Sequence, residues 1–388
     1  MTDLFSYQSQ SAPGIVPERI REAREARAFT SEEFAELIGV SRQALAQYEL
    51  GQTRPRPEIL SKIVGETAQP LSFFTTEKRF ASPNMGHPFW RSLKRTTQNF
   101  RNRTVRRLEW ALEITKHVEK YIDLPDPNLP EITFDVDWPE EVWTEEVEKA
   151  ANAVRRHWGL GLEPIEHFER HLEANGIILV RDKVLTDDMD AVSRWQAGRP
   201  YILYAEESAS TPRILYNLAH ELGHIVLHAG VDVSSKNLGK LEKQANRFAG
   251  AFLLPQKTFS KEALRSSLNH FIFLKSRWRV SISAMVYRAK DLGILSENQA
   301  RYLWKQMTAE GIRKKEPLDD TYPIPSPSLL KEAINMILEN SVETKTQLKD
   351  AIAINADDIV DLIAEAPGFF GPGVVSLDLS PRTANDNE

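Results

Sequence analysis

The segment AHELGHIVLH, Ala219 to His228, places three histidines four residues apart, with a glutamate directly after the first. On an α-helix, residues four apart stand about 6 Å apart along the axis and about 40° apart around it, so the imidazoles of His220 and His224 can converge on one metal ion. Glu221 lies about 100° round from His220, where it cannot share that ligand position but can reach a water beside the metal and act as general base. This is the HExxH pattern of two zinc ligands and a base. His228 extends the row, yet it stands about 12 Å from His220 along the axis, whereas two nitrogens bound to one zinc each sit about 2 Å from it. His228 therefore reads as a packed or supporting residue one turn further on, not as a ligand.

A catalytic zinc keeps three protein ligands and one open position. The chain has no cysteine, so disulfides, thiolate sites and cysteine nucleophiles are excluded, and a metal must be held by His, Asp or Glu. Glu242, in the next helical segment, has Ala245, Asn246 and Ala249 at i+3, i+4 and i+7, a small-residue face that could lie close against the first helix. We expect Glu242 to be the third ligand. Asp232, in a connecting loop, is the weaker alternative, and on charge pattern alone Glu242 could equally be a solvated helix residue.

Elements that would position these residues surround them. Helices are expected through TEEVEKAANAVRRHW and EPIEHFERHLEAN, the second ending at Gly176. Three short β-rich segments follow, IILV, AVSRW and YILY, which suggest a small sheet. The motif helix comes next, then a helix through NLGKLEKQANRFAGAFLLP, stopped by Pro255. Residues 143–258 form the unit that carries the motif. Residues 259–377 read as a helical C-terminal region, divided by YPIPSPS, with Trp278, Ile282, Met285 and Leu292 in its core; the polar tail 378–388 is expected to be disordered.

Residues 15–75 read as a compact all-α unit. Thr30 and Glu33 form a capping box, Phe34, Leu37 and Ile38 face one side of the helix that follows, Gly39 suits a left-handed stop, and Ser41 can cap the next helix to about Leu50. A connecting helical segment occupies 76–122, and residues 91–107 within it hold seven basic residues and no acidic one. DLPDPNLPEITFDVDWPEE, at 123–142, has the proline content of an extended linker.

At 388 residues the chain is long enough for two or three domains, and 41% hydrophobic with 27% charged residues is the balance of a globular protein. The net charge of −6 conceals a gradient, since residues 15–120 carry 19 Lys+Arg against 13 Asp+Glu and the remainder is acidic. Such a division suits a nucleic-acid-binding front end. Within it, residues 15–75 hold 8 basic and 9 acidic residues, so attraction to phosphate would draw on the helix at 91–107. Arg101, Arg103, Arg106 and Arg107 could equally form a solvated face or meet the acidic rest of the chain. With no signal peptide and no span of about 20 apolar residues, a cytoplasmic location without membrane contact is expected.

LAHELGHIVLH followed by LEKQANRFAGAFLLP resembles the ImmA/IrrE family of bacterial metallopeptidases, and the resemblance covers about Trp143 to Pro255. It implies a zincin-like peptidase domain in which Zn2+ is bound by His220, His224 and Glu242, with Glu221 as base. It also implies cleavage of a partner repressor of the helix-turn-helix type, or of an antitoxin-like protein, in a stress, defence or mobile-element response. The front unit resembles the Cro/repressor (XRE) helix-turn-helix domain through Arg24 and Glu49, which pair across that domain, the GVS turn at Gly39 to Ser41, and YELGQTRP. By that resemblance Ser41, Arg42, Gln43 and Gln47 would meet double-stranded DNA, with Arg suited to guanine and Gln to adenine, and the protein would act as a homodimer on a palindromic operator. The fold expected is therefore multidomain and α-rich α+β: an all-α helix-turn-helix domain, a metallopeptidase domain with a small β-sheet, and a helical C-terminal region. The competing reading is a transcription factor or antitoxin whose peptidase-like domain only senses a ligand or partner.

Overall fold

The computed structural model of the chain describes residues 14–77, 97–182, 191–205, 210–231 and 236–371. Its front unit holds α1 (Pro17–Ala26), α2 (Ser31–Ile38), α3 (Arg42–Glu49), α4 (Pro57–Thr67) and α5 (Leu71–Thr75). The capping box closes α2, with the Thr30 hydroxyl accepting from Glu33 N and the Glu33 carboxylate from Thr30 N. Gly39 ends the helix at φ +75, and the Ser41 hydroxyl accepts from Ala44 N to start α3. Phe34 and Ile38 are fully buried, but Leu37 is 45% exposed, so the apolar stripe of α2 is narrower than its sequence suggests.

A 21-residue helix, α6 (Gln98–Val118), carries the front unit on one side. Trp110 is buried at this junction, donating from Nε1 to Glu22 at 2.7 Å and meeting Phe73 edge-on. Arg19 reaches Glu113 through both terminal nitrogens, at 2.9 and 3.2 Å. Three of the four arginines in the basic half of α6 are engaged within the chain. Arg103 lies buried against Asp182 at 2.6 and 2.8 Å, Arg106 is held by Glu25 and Glu109, and Arg107 is held by Asp358 and Asp361. Of the readings open for these arginines, contact with the acidic rest of the chain is the one observed for Arg103 and Arg107, whereas Arg106 is paired with glutamates of α1 and of α6 itself. Residues 91–96 of that basic stretch lie outside the described residues.

The central unit contains α7 (Glu140–His157), α8 (Phe168–Ala174), β1 (Ile178–Asp182), β2 (Ala191–Gln196), β3 (Arg199–Ala205), α9 (Thr211–Leu227) and α10 (Leu238–Leu253). The sheet order is β1-β3-β2, with β1 parallel and β2 antiparallel to β3. A two-residue turn, Ala197 and Gly198, both at positive φ, joins β2 to β3 in the manner that matches strand twist. Every residue of β3 is buried, and its two faces serve different cores. Leu179, Ala191, Ile202 and Tyr204 pack with α7, α8, α9 and α10. Ile178, Val180, Val192, Tyr201 and Leu203 share the other core with α6 and the front unit. The sheet is thus the wall between the two.

The C-terminal helices divide on the same wall. α11 (Gln256–Glu262), α12 (Leu268–Trp278), α13 (Ile282–Asp291) and α14 (Glu297–Ala309) extend the α9–α10 core and bury Trp278, Ile282 and Met285 in it. After the proline-rich break, α15 (Leu329–Glu339), α16 (Lys345–Ile352) and α17 (Ala356–Leu362) return to α6 and β1. The polar tail, 378–388, lies outside the described residues.

Residues 123–138 hold no helix or strand, as their prolines dictate, but they are seated rather than free. Gly176 has φ +79, and a Cβ there would stand 2.4 Å from the Asp126 carbonyl group, so only glycine lets the segment pass. Asn128 bonds Asn175 and His157, and its carbonyl accepts from the Trp158 indole. Among the described residues no helix is long and apolar enough to cross a membrane.

Candidate metal centre

α9 and α10 pack side by side along their small residues. A Cβ on Gly223 would come within 3.1 Å of Phe248, which is how closely α10 approaches, while Ala245 and Ala249 are fully buried. That approach brings together His220, His224 and Glu242, the group of potential ligands among the described residues. His220 Nε2 and His224 Nε2 are 3.1 Å apart, Glu242 Oε2 is 3.4 Å from the first, and Glu242 Oε1 is 3.2 Å from the second. Ligands about 2.0–2.1 Å from a tetrahedral ion stand about 3.3 Å from one another, so each of these separations is close to an edge of such a tetrahedron, with Glu242 meeting the two histidines through different oxygens. Asp232 lies outside the described residues.

Hydrogen bonding fixes the direction in which each imidazole points its lone pair. Asn246 donates from Nδ2 to the Glu242 carbonyl at 2.8 Å, which turns its Oδ1 to His220 Nδ1 at 3.2 Å. His220 Nδ1 therefore carries the proton, and its Nε2 faces Glu242 bare. Glu242 Oε1, although buried and close to His224, accepts no hydrogen bond. A carboxylate oxygen facing imidazole lone pairs in a buried site calls for a cation between them, so the donor set fits a divalent metal.

Glu221, on the same helix, is buried and turned to the sheet, where Ser193 Oγ donates to its Oε2 at 2.6 Å. The period of two in β2 explains this contact. Ser193 and Trp195 face α9, Trp195 reaching the Ile225 carbonyl, while Gln196 faces α6 and reaches the Leu108 carbonyl. Ser193 has no special place in the sequence pattern, and only the register, Ser193 opposite Ile202, identifies its face.

His228 is fully buried and caps α9. Its Nδ1 is 2.9 Å from His224 Nδ1, its Nε2 is 3.0 Å from Gln244 Oε1, and its ring meets Phe134 edge-on. Burial first, and the His224 ring second, hold its protonated form well below the ordinary histidine range. Helix geometry set His228 aside as a ligand but could not reveal these partners, because Gln244 belongs to the next helix.

In the front unit Arg24 grips Glu49 with Nε and Nη2, at 2.6 and 3.1 Å, and ties α1 to α3. Ser41, Arg42 and Gln43 are exposed at the start of α3, and Gln47 is half-buried one turn on. They lie on the outer part of α3, whose Leu45 faces the core.

Comparison with protein families locates two domains. A helix-turn-helix family matches residues 20–71, α1 to the start of α5. The peptidase family described as the IrrE N-terminal-like domain matches residues 173–290, from the end of α8 through most of α13, and so includes the sheet, α9 and α10. No curated protein is found to match the chain. The chain therefore carries a helix-turn-helix domain joined through α6 to an IrrE N-terminal-like domain of the peptidase class.

Proposed function

We propose that the protein is a DNA-binding zinc metallopeptidase that regulates transcription by cleaving a partner protein, a helix-turn-helix repressor or an antitoxin-like protein. The observation that carries this reading is the tetrahedral spacing of His220 Nε2, His224 Nε2 and the Glu242 carboxylate beside a buried Glu221. Those three residues would hold Zn2+, which when bound supplies Lewis-acid polarisation of a water and of the scissile carbonyl. Glu221 takes the proton of the attacking water on its carboxylate and passes it to the departing amine nitrogen. The Ser193 hydroxyl holds Glu221 Oε2, so the side chain keeps one orientation during both transfers. A domain that only senses a ligand has no chemical need for that base, which favours turnover over the sensing alternative.

In the front unit, Ser41 would meet phosphate at the start of α3, while Arg42, Gln43 and Gln47 read bases in the major groove, with a homodimer spanning two half-sites. Because the arginines of α6 described above are taken up inside the chain, phosphate contacts fall to the exposed Arg54 and Arg56 beside α3.

The test compares wild type and Glu221→Gln for zinc content and for cleavage of helix-turn-helix repressors and antitoxin-like proteins encoded beside the gene. The reading expects equal zinc in both and cleavage only by the wild type. Equal cleavage by both, or no cleavage by the wild type with its partner supplied, overturns it.

A further inference from the structure

His228 stands next to the proposed metal centre without belonging to its ligand set, and it lies in a chain of hydrogen bonds whose polarity is fixed from one end. That end is the Val136 carbonyl, in the seated segment before α7, which can only accept. Gln244 Nε2 donates to it at 3.3 Å, so Gln244 Oε1 is the atom that faces His228 Nε2, at 3.0 Å. His228 must then carry its proton on Nε2 and present a lone pair at Nδ1. His224 Nδ1, 2.9 Å away, must donate to that lone pair. With both imidazoles neutral, only one arrangement of protons satisfies all three contacts, and it leaves His224 Nε2 unprotonated and directed at Glu242 and His220. Reversing the Gln244 amide would set its oxygen against the Val136 oxygen and lose that hydrogen bond.

We propose that His228 is a positioning residue: by accepting from His224 Nδ1 it fixes the tautomer and ring orientation of that ligand, and it is itself oriented by Gln244 against the Val136 carbonyl. The proposal rests on the reading of His220, His224 and Glu242 as a metal site. His220 is served differently, since Asn246 takes its orientation from the Glu242 carbonyl on the same helix. The His224 side thus depends on a segment that lies outside the two helices, and Phe134 of that segment packs edge-on against the His228 ring. Supporting partners of this kind characteristically change metal affinity 10- to 100-fold (about that range) when removed.

The experiment uses the full-length chain with 15N-labelled histidine. His228→Leu removes the acceptor, and His228→Asn returns a carbonyl oxygen near the place of Nδ1. Long-range proton–nitrogen spectra of the metal-free proteins read the His224 tautomer, and competition with a chelator reads zinc affinity. Wild type is expected to show His224 protonated at Nδ1. His228→Leu is expected to lose that preference and to bind zinc about 10- to 100-fold more weakly, with His228→Asn recovering most of both. Unchanged zinc affinity and an unchanged His224 tautomer in His228→Leu overturn the proposal, as does failure of a folded His228→Asn to recover either property. If the wild type takes up no zinc, the metal reading falls instead, and the His224 tautomer in the metal-free chain still decides the positioning role.

Discussion

Asp358 is the point where three distant parts of the chain meet, and replacing it by asparagine tests how firmly the front unit is fixed to the rest. Its Oδ1 accepts from Arg27 Nη1 at 2.9 Å and Arg107 Nη1 at 2.8 Å, and its Oδ2 from Arg27 Nη2 and Gln69 Nε2, both at 2.7 Å. Asparagine keeps one accepting oxygen and turns an amide N–H toward donors, so about half of these bonds and the whole charge are lost. Removing one partner of a buried ion pair costs about 3–5 kcal/mol. Two features reduce that figure here. Arg107 keeps Asp361 at 2.5 Å and Asp182 at 3.5 Å, and the Arg27 side chain is 25% exposed, so water replaces part of what it loses. The expected loss is about 2–4 kcal/mol. Guanidinium unfolding followed by tryptophan fluorescence measures it, since Trp110 lies at the junction between α6 and the front unit. Arg27→Ala, alone and combined with Asp358→Asn, isolates the Arg27 share as a coupling energy. A loss below about 1 kcal/mol for Asp358→Asn would mean instead that the cluster merely offsets its own desolvation and does not fix the front unit.

Acid should erase the same difference. Burial alone would raise the Asp358 carboxyl, but Arg27, Arg107 and Gln69 hold it below its ordinary value of 3.8, so the folded chain binds fewer protons there than the unfolded one. Its contribution is therefore complete above the ordinary range and lost as pH falls through the lowered value, and the stability gap between wild type and Asp358→Asn, measured by unfolding at a series of pH values, should close on that side only. Gly176→Ala puts a methyl group into the Asp126 backbone at positive φ and should cost at least about 2 kcal/mol, with limited proteolysis detecting new cleavage within 123–138; unchanged resistance would argue against a seated segment.

The parts of this fold that could be read in the sequence are those with local causes. Thr30, Glu33, Gly39 and Ser41 act within one helical turn, and the spacing of His220 and His224 is a property of one helix. Glu242 needed a second helix but was marked by the small residues around it. What escaped has causes distant in the chain. The partners of Arg103 and Arg107 lie 75 to 254 residues away, and nothing in a run of basic residues distinguishes a buried clamp from a solvated face. Leu37 follows the helical stripe but falls outside the small core. Ser193 and Gln244 are ordinary polar residues whose contacts to Glu221 and His228 exist only once the sheet register and the α9–α10 approach are set.

The two-faced sheet also limits how this gene can change in length. Deleting Trp195 or Gln196, between Ser193 and the turn that sets the register, would rotate the earlier part of the strand by one face. Arg194 would then turn toward Glu221, and Ser193 toward the α6 side. A deletion of two residues keeps the faces but shortens the ladder beside β3, whereas the two-residue turn at Ala197 and Gly198 has no length to spare. Homologous chains that preserve this centre should therefore align without gaps from Ala191 to Ala205.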